Sequence, residues 1–463
     1  MVRKLTSILA ALTGLAASLG ACARAEVTVT LEPETRYQTI SGWEAADEVV
    51  SNPAEEPDWL LYAPIVYDKA VEEVGINRIR LEVRSSAEST IGAWRRLASG
   101  EIDSKGWRPI RYLSTNDNDD PYTINWSGFD FAELDFRIES AVLPMKERLE
   151  ARGERLFVNV NYVAFMNQVP DAPYFHDDPE EYAELVLATH LHMRDKYGFA
   201  PDAWEVMLEA DNVPQWRRDP RLLGKVIVAS AKRLDEAGFK TRFIAPSVTN
   251  MKNAAPYMDA IASVDGAVAR MSEISYHRYG GRKPENLAAI VERAERYGLD
   301  TSMLEWWFGH GNEDVLHEDL EAGRNSAWQG RTLRGLFDVD MSNPKAPKVT
   351  PRKEVRYTLQ YFRDVRAGAV RIGARSSAPQ DFAPLAFVNP GGATTLVVKA
   401  QRAGEIAILG LPAGRYTVSY AVPQGSERLA PVEHAAGAPF RASLPAKGVL
   451  TVAAERPRPG ATP

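Results

Sequence analysis

Hydrophobic and polar positions alternate along residues 27–31 (VTVTL), the period of a strand with one buried face. Residues 37–43 (YQTISGW) form a second short run of that kind. Beyond them the pattern changes to apolar, β-rich runs separated by amphipathic stretches. The runs lie at 77–83 (NRIRLEV), 155–162 (RLFVNVNY), 204–209 (WEVMLE), 242–248 (RFIAPSV), 273–276 (EISY) and 302–307 (SMLEWW). Stretches such as 179–196, 221–237 and 283–297 are long enough for helices that pack one face on a sheet. With residues 38–43 as the first strand, seven strands have begun by Glu305. Residues 336–340 (LFDVD) are the candidate eighth, ahead of a helix from about 354 to 365.

Strand–helix units repeated this often within roughly 250 to 300 residues favour a closed parallel (β/α)8 TIM barrel of the α/β class over an open doubly wound sheet. No G-x-G-x-x-G follows the first strand and no G-x-x-x-x-G-K occurs, which agrees with that choice. From about residue 370 short strands and turns return at hairpin spacing, the pattern of a C-terminal β-sandwich. The expected organisation is a barrel over 36–366 and a sandwich from 26–35 plus 367–456. In that scheme the early strand returns to complete the sandwich, and a Pro-rich tail at 457–463 is disordered.

Arg3 and Lys4 precede an apolar stretch at 5–19 that is too short and too rich in Ala and Gly for a membrane span. It ends in Leu19-Gly20-Ala21-Cys22, which resembles the lipobox of bacterial lipoproteins. Residues 1–22 then form an export signal, and Cys22, the only cysteine, becomes the lipidated first residue of the mature chain. Cleavage after Ala23-Arg24-Ala25, an A-x-A site, is the alternative and discards the cysteine. Both readings export the chain, to the periplasm or cell surface when anchored and to the medium otherwise. The net charge of −7 argues against a nucleic-acid partner. Membrane contact is limited to the possible anchor, and a monomer is expected. Ten Trp and seventeen Tyr offer faces that could stack on sugar rings, although core packing claims many of them.

Barrels of this kind collect their chemistry at the C-terminal ends of the strands. Glu209 closes the fourth run and Glu305 the seventh, and a carboxylate ending an apolar strand has lost hydration and needs a partner or a task. The structural reading of each is an ion pair with Arg78, Arg80 or Arg84. Other strand ends place Trp43, Asn159, Asn161, Tyr162, His277, Tyr279, Trp306 and Trp307 near one mouth. Arg80 either keeps a carboxylate ionised or pairs with Glu82. A long connection after the second strand carries Trp94, Trp107, Tyr112, Tyr122 and Trp126 and suits a cleft wall. Within it Asp117-Asn118-Asp119-Asp120 could hold calcium, but reads first as a solvated polar turn. His310, Glu313, Asp314 and His317 match no strong zinc spacing, so no metal is expected there.

The order of these pieces resembles clan A of the glycoside hydrolases, and most of all glycoside hydrolase family 30 or a divergent relative. Tyr37-Gln38-Thr39-Ile40-Ser41-Gly42-Trp43 is similar to that family's opening Q-x-I-x-G-F/W. Residues 361–372 (YFRDVRAGAVRI) and 386–392 (AFVNPGG) resemble its passage from the last helix into the sandwich. The resemblance implies retaining hydrolysis of a β-linked oligo- or polysaccharide without a cofactor, with Glu209 as acid/base and Glu305 as nucleophile. Glu209 would be held protonated by burial and by its partner's charge. Trp306 and Trp307 would form the platform below the sugar, and His277-Arg278-Tyr279 matches the clan's H-x-Y. One departure is plain: the clan has Asn before the acid/base, and this chain has Leu208. Asn212 or Asn161 would then serve the sugar's 2-hydroxyl, and Asp211 is the fallback acid/base. A non-catalytic carbohydrate-binding surface lipoprotein on the same fold is the rival reading.

Overall fold

The structure is a computed structural model describing residues 26–165, 168–169, 174–307 and 311–455. The export signal, Cys22 and the tail from 457 lie outside the described residues. Strand β1 (Val27–Thr39) buries Val27, Val29 and Leu31 on one face, as their alternation predicts. Eight parallel strands close the barrel: β2 (Gly42–Ala46), β3 (Arg78–Arg84), β4 (Phe157–Val163), β5 (Ala203–Glu205), β6 (Arg242–Asn250), β7 (Met271–Gly280), β8 (Asp300–Glu305) and β9 (Asn325–Thr332).

Two sequence expectations move. The first barrel strand is 42–46 and not 38–43, because residues 38 and 39 still belong to β1. The eighth is Asn325–Thr332, which pairs with β8 on one side and β2 on the other. Residues 337–340 instead form β10 (Phe337–Asp340), which pairs only with β11 (Lys348–Pro351) in a separate antiparallel hairpin. Strand β9 lacks an apolar run because its buried Gln329 faces a polar interior, where it meets Glu44 and Trp307. That interior is wired by ion pairs: Arg78 binds Glu44 and, with both terminal nitrogens, Glu273. Asn159 bridges Glu44 and Glu205.

The second sheet runs β17 (Gly425–Arg428), β16 (Gly414–Val422), β20 (Gly448–Ala454), β14 (Thr394–Ala400), β13 (Phe382–Val388), β12 (Val370–Ser376), β1, β15 (Gly404–Leu409) and β19 (Phe440–Leu444), with β18 (Val432–His434) beside β16. Every pair is antiparallel except β1 with β15. The sheet curls into a sandwich with its own core of Leu396, Val398, Leu450 and Val452. Leu385, Phe387, Val397 and Val449 join the barrel core instead. Helix Val355–Phe362 stands at the junction, where Gln360 accepts hydrogen bonds from Ser419 at 2.8 Å and Thr451 at 2.6 Å.

Candidate active site

Arg80 points into the barrel from β3 and is fully buried. It donates to Glu305 Oε2 at 2.7 Å and to the Leu304 carbonyl at 3.2 Å, with Glu82 a further 3.5 Å contact. Burial alone would push this guanidinium down, but the charges of Glu305, Glu205 and Glu82 more than offset it and hold the cation. Tyr279, beyond the middle of β7, donates its hydroxyl to the other Glu305 oxygen at 2.9 Å. Burial and the Glu305 charge push that phenol up, so it remains a neutral donor. Both oxygens of Glu305 are therefore held by hydrogen-bond donors.

Glu209 reaches the same mouth by a different route. Strand β5 ends at Glu205, four residues earlier than the apolar run suggested. The chain then continues in an irregular course, with Val206 N bonded to Ile244 O, Leu208 N to Tyr162 O and Glu209 N to Ser247 O. Glu209 and Ser247 both have left-handed backbones, with φ of 54° and 53°. For non-glycine residues this costs on the order of 1 kcal/mol or more each, and such strain is concentrated at functional positions. Glu209 Oε1 accepts from His277 Nδ1 at 3.2 Å, and Oε2 accepts from Asn212 at 3.3 Å.

The protonation of Glu209 differs from the sequence expectation. Burial does push its carboxyl up, but the hydrogen bond and charge of His277, with Asn212 and Thr249, outweigh burial and hold it below the usual carboxylate range. His277 moves the opposite way. Burial pushes it down, yet Glu209 and the Glu305 charge raise it overall. The shifts bias the pair's shared proton toward His277 and away from Glu209. A carboxylate oxygen of Glu209, one of Glu305 and a ring nitrogen of His277 lie within 4.8 Å of one another. These are ligand-type atoms at metal-binding distances, although the Arg80 guanidinium on Glu305 opposes a cation there.

The other candidates divide. Asn212, His277, Tyr279 and Arg80 stand at the two glutamates. Trp307 lines a cavity of about 250 Å³ together with Glu305, and its indole N–H donates to Gln329 at 3.0 Å. Trp306 is buried, with Arg278 and Arg282 over its ring. Asn161 lies inside the barrel, its amide 3.5 Å from the Glu205 carbonyl and its own oxygen without a partner. Trp43 and Tyr162 are corrections. Trp43 stacks on Phe362 at 4.5 Å on the outside of the barrel and donates to Val365 O. Tyr162 is 1% exposed and bonds His176 at 2.9 Å behind β4. Asp211 does not suit the acid/base role either: its oxygens accept from Thr249 N, Asn250 N and Asn253, which makes it a clamp on the loop after β6.

Sequence reasoning assigned no cleft role to much of the cavity wall, including Asp47, Glu82, Arg84 and Arg137. The signal was present for Glu82 and Arg84, which alternate with the core residues Leu81 and Val83 on β3. Leu208 also lines this cavity, so the position where the clan carries Asn does face the cleft but offers only an apolar surface.

No protein-family model and no curated protein matches the sequence. Solved structures do. The catalytic domain of GH30 xylanase C from Talaromyces cellulolyticus superposes with a TM-score of 0.65 at 15% identity, covering 93% of this chain and 100% of that one. A conserved exported protein from Bacteroides fragilis gives 0.64 at 14% identity, over 92% and 100% of the two chains. An endo-β1,6-glucanase gives 0.61 at 16%, over 93% and 95%. At these identities the likeness is one of fold, and this chain has the barrel-and-sandwich fold of glycoside hydrolase family 30 structures and their clan A relatives.

Proposed function

We propose that the chain is a retaining glycoside hydrolase for a β-linked glycoside or polysaccharide, with Glu305 as nucleophile and Glu209 as acid/base, and with no cofactor. The observation that carries this reading is the short span between the two carboxylates, whose nearest oxygens lie within 4.8 Å. Double displacement uses carboxyl groups about 5 to 5.5 Å apart, whereas inversion needs about 6.5 to 9.5 Å to admit a water. Glu305, oriented by hydrogen bonds from Arg80 and Tyr279, attacks the anomeric carbon as the bond to the leaving oxygen breaks. The proton shared with His277 across the 3.2 Å hydrogen bond passes through Glu209 to that oxygen, which leaves Glu209 a carboxylate in the glycosyl-enzyme. In the second half-reaction Glu209 takes a proton from water, the water oxygen bonds the anomeric carbon, and Glu305 departs. The export-type N-terminus and the fold likeness to an exported protein support a location outside the cytoplasm, anchored through Cys22.

The experiment separates the two roles on β-linked aryl glycosides. Glu305→Gln should lose about a thousandfold or more on every substrate. Glu209→Gln should keep glycosylation by dinitrophenyl glycosides, which need no proton, and azide should restore its turnover with a β-glycosyl azide as product. Full activity of Glu209→Gln on poor leaving groups would remove it as acid/base. A parent chain that hydrolyses nothing across aryl glycosides and polysaccharides, yet binds oligosaccharide as both variants do, would establish the binding-protein reading that Leu208 favours.

A further inference from the structure

The residue before Glu209 is Leu208, buried and part of the wall of the cavity beside Glu305. Val163, at the end of β4, and Phe165 line the same cavity, and the bond from Leu208 N to the Tyr162 carbonyl keeps the two segments adjacent. Next to Glu209 the wall is therefore apolar. Toward β2 and β3 it is charged, with Asp47, Glu82 and Arg84. Neither asparagine that could have supplied the missing amide lines this cavity. Asn212 turns its amide onto Glu209 at 3.3 Å, and the Asn161 oxygen is buried without a partner. In double displacement the anomeric carbon lies between the two carboxylates, so the substituent on its neighbour C2 meets the wall that flanks them. A hydroxyl placed against Leu208, Val163 and Phe165 would lose its water and gain no partner. One donor does border the apolar patch. Arg111 lines the cavity and lies 4.8 Å over the Tyr112 ring, which meets Phe165 edge-on at 5.7 Å. One Arg111 nitrogen donates to Gln168 at 2.9 Å, Nε has no acceptor, and the guanidinium pairs with no carboxylate among the described residues.

We infer that the sugar bound between the glutamates carries an acylated amine at C2, a 2-acetamido group, whose methyl packs on Leu208, Val163 and Phe165 while its carbonyl oxygen accepts from Arg111. This names the substrate class of the two-glutamate site and rests on that reading of it. An amide of this kind joins an apolar end to an acceptor, which complements an apolar wall bordered by an unused donor. A bare methylene at C2 would suit the wall and leave Arg111 unanswered. A carboxylate there would answer Arg111 but set a negative charge beside Glu305 and Glu82, which line the same cavity. The charged wall toward β2 and β3 is left for the sugar's other hydroxyls, for which Asp47 and Glu82 are acceptors and Arg84 is a donor.

The test compares nitrophenyl β-glycosides that differ only at C2, with acetamido, hydroxyl or hydrogen, in gluco and galacto configurations. The acetamido member should have the highest kcat/KM, by about tenfold or more. Leu208→Asn should shift the ratio toward the hydroxyl member by a similar factor, because it restores an amide and removes the apolar wall. Arg111→Met should lower kcat/KM for the acetamido member mostly through KM, and serves if Leu208→Asn does not fold. A parent that prefers the hydroxyl or the deoxy member would overturn the pocket, as would a ratio unmoved in both variants. Binding separates this inference from the glycosidase reading. A parent that cleaves none of the set, yet melts higher with N-acetylchitooligosaccharide than with cello-oligosaccharide, would keep the pocket and refute the hydrolase. No cleavage and no such difference in melting would overturn the pocket as well.

Discussion

Asp47 sits just past β2 with 3% exposure, one oxygen accepting from Glu82 N at 3.2 Å. Burial first, and then the Glu82 charge, push its carboxyl up to about 7 against the pull of Arg137 and Arg84. A folded pKa above the unfolded value of 3.8 means that the folded state binds this proton more tightly. That contribution to stability is complete below the unfolded value and is lost as pH rises through about 7. Asp47→Asn carries no such proton, so its stability relative to the parent should improve between about pH 4 and pH 8. Urea unfolding at both ends of that range checks this, and a difference that does not change with pH would refute it. The residue scale also shows why the glutamate pair was legible and its protonation was not. Charged residues ending apolar runs are visible in a sequence, whereas the sign of the Glu209 shift depends on His277, which lies 68 residues away.

At the scale of elements, runs of β-branched and apolar residues identified most barrel strands, and alternation identified β1. Strand β9 escaped because it is short of apolar residues and carries Gln329 toward a polar interior. Trp43 was misplaced for a related reason. The strand runs on to Ala46, so Glu44 faces inward and Trp43 outward. Strand β9 also makes a sharp packing prediction. A Cβ added at Gly330 would lie 2.6 and 2.7 Å from ring atoms of Trp328, which is itself fixed by a 3.0 Å bond to Asp319. Gly330→Ala should therefore cost about 1 to 3 kcal/mol of unfolding free energy, the range for overpacking a core. Denaturant melts measure it, and a neutral result would mean that the Trp328 ring can move aside.

At the scale of the whole molecule the sandwich is not an appendage. Leu385, Phe387, Val397 and Val449 belong to the barrel's core, and β1 is held between β12 and β15. Residues 363 and 364 add polar ties, with Arg363 donating to Ser419 at 2.8 Å and the Asp364 carbonyl accepting from Thr395 at 2.9 Å. Truncation before Val370 should strip both partners from β1 and bare an apolar face of the barrel, so that the product aggregates. A soluble, monodisperse truncation by size-exclusion chromatography would show that the barrel closes its core without the sandwich.

Periodicity and residue type by themselves determined the number and kind of the units, the barrel followed by a sandwich, and the two glutamates worth examining. These are local properties: a strand's alternation or a charged end to an apolar run is written within a few residues. The tertiary structure alone decided which strand closes the barrel, which aromatic residues face the cleft, and which charges meet. It did so because closure, facing and ion pairing each depend on residues far apart in the chain. Arg80 and Glu305, 225 residues apart, become partners only when the sheet curls until its first and last strands pair.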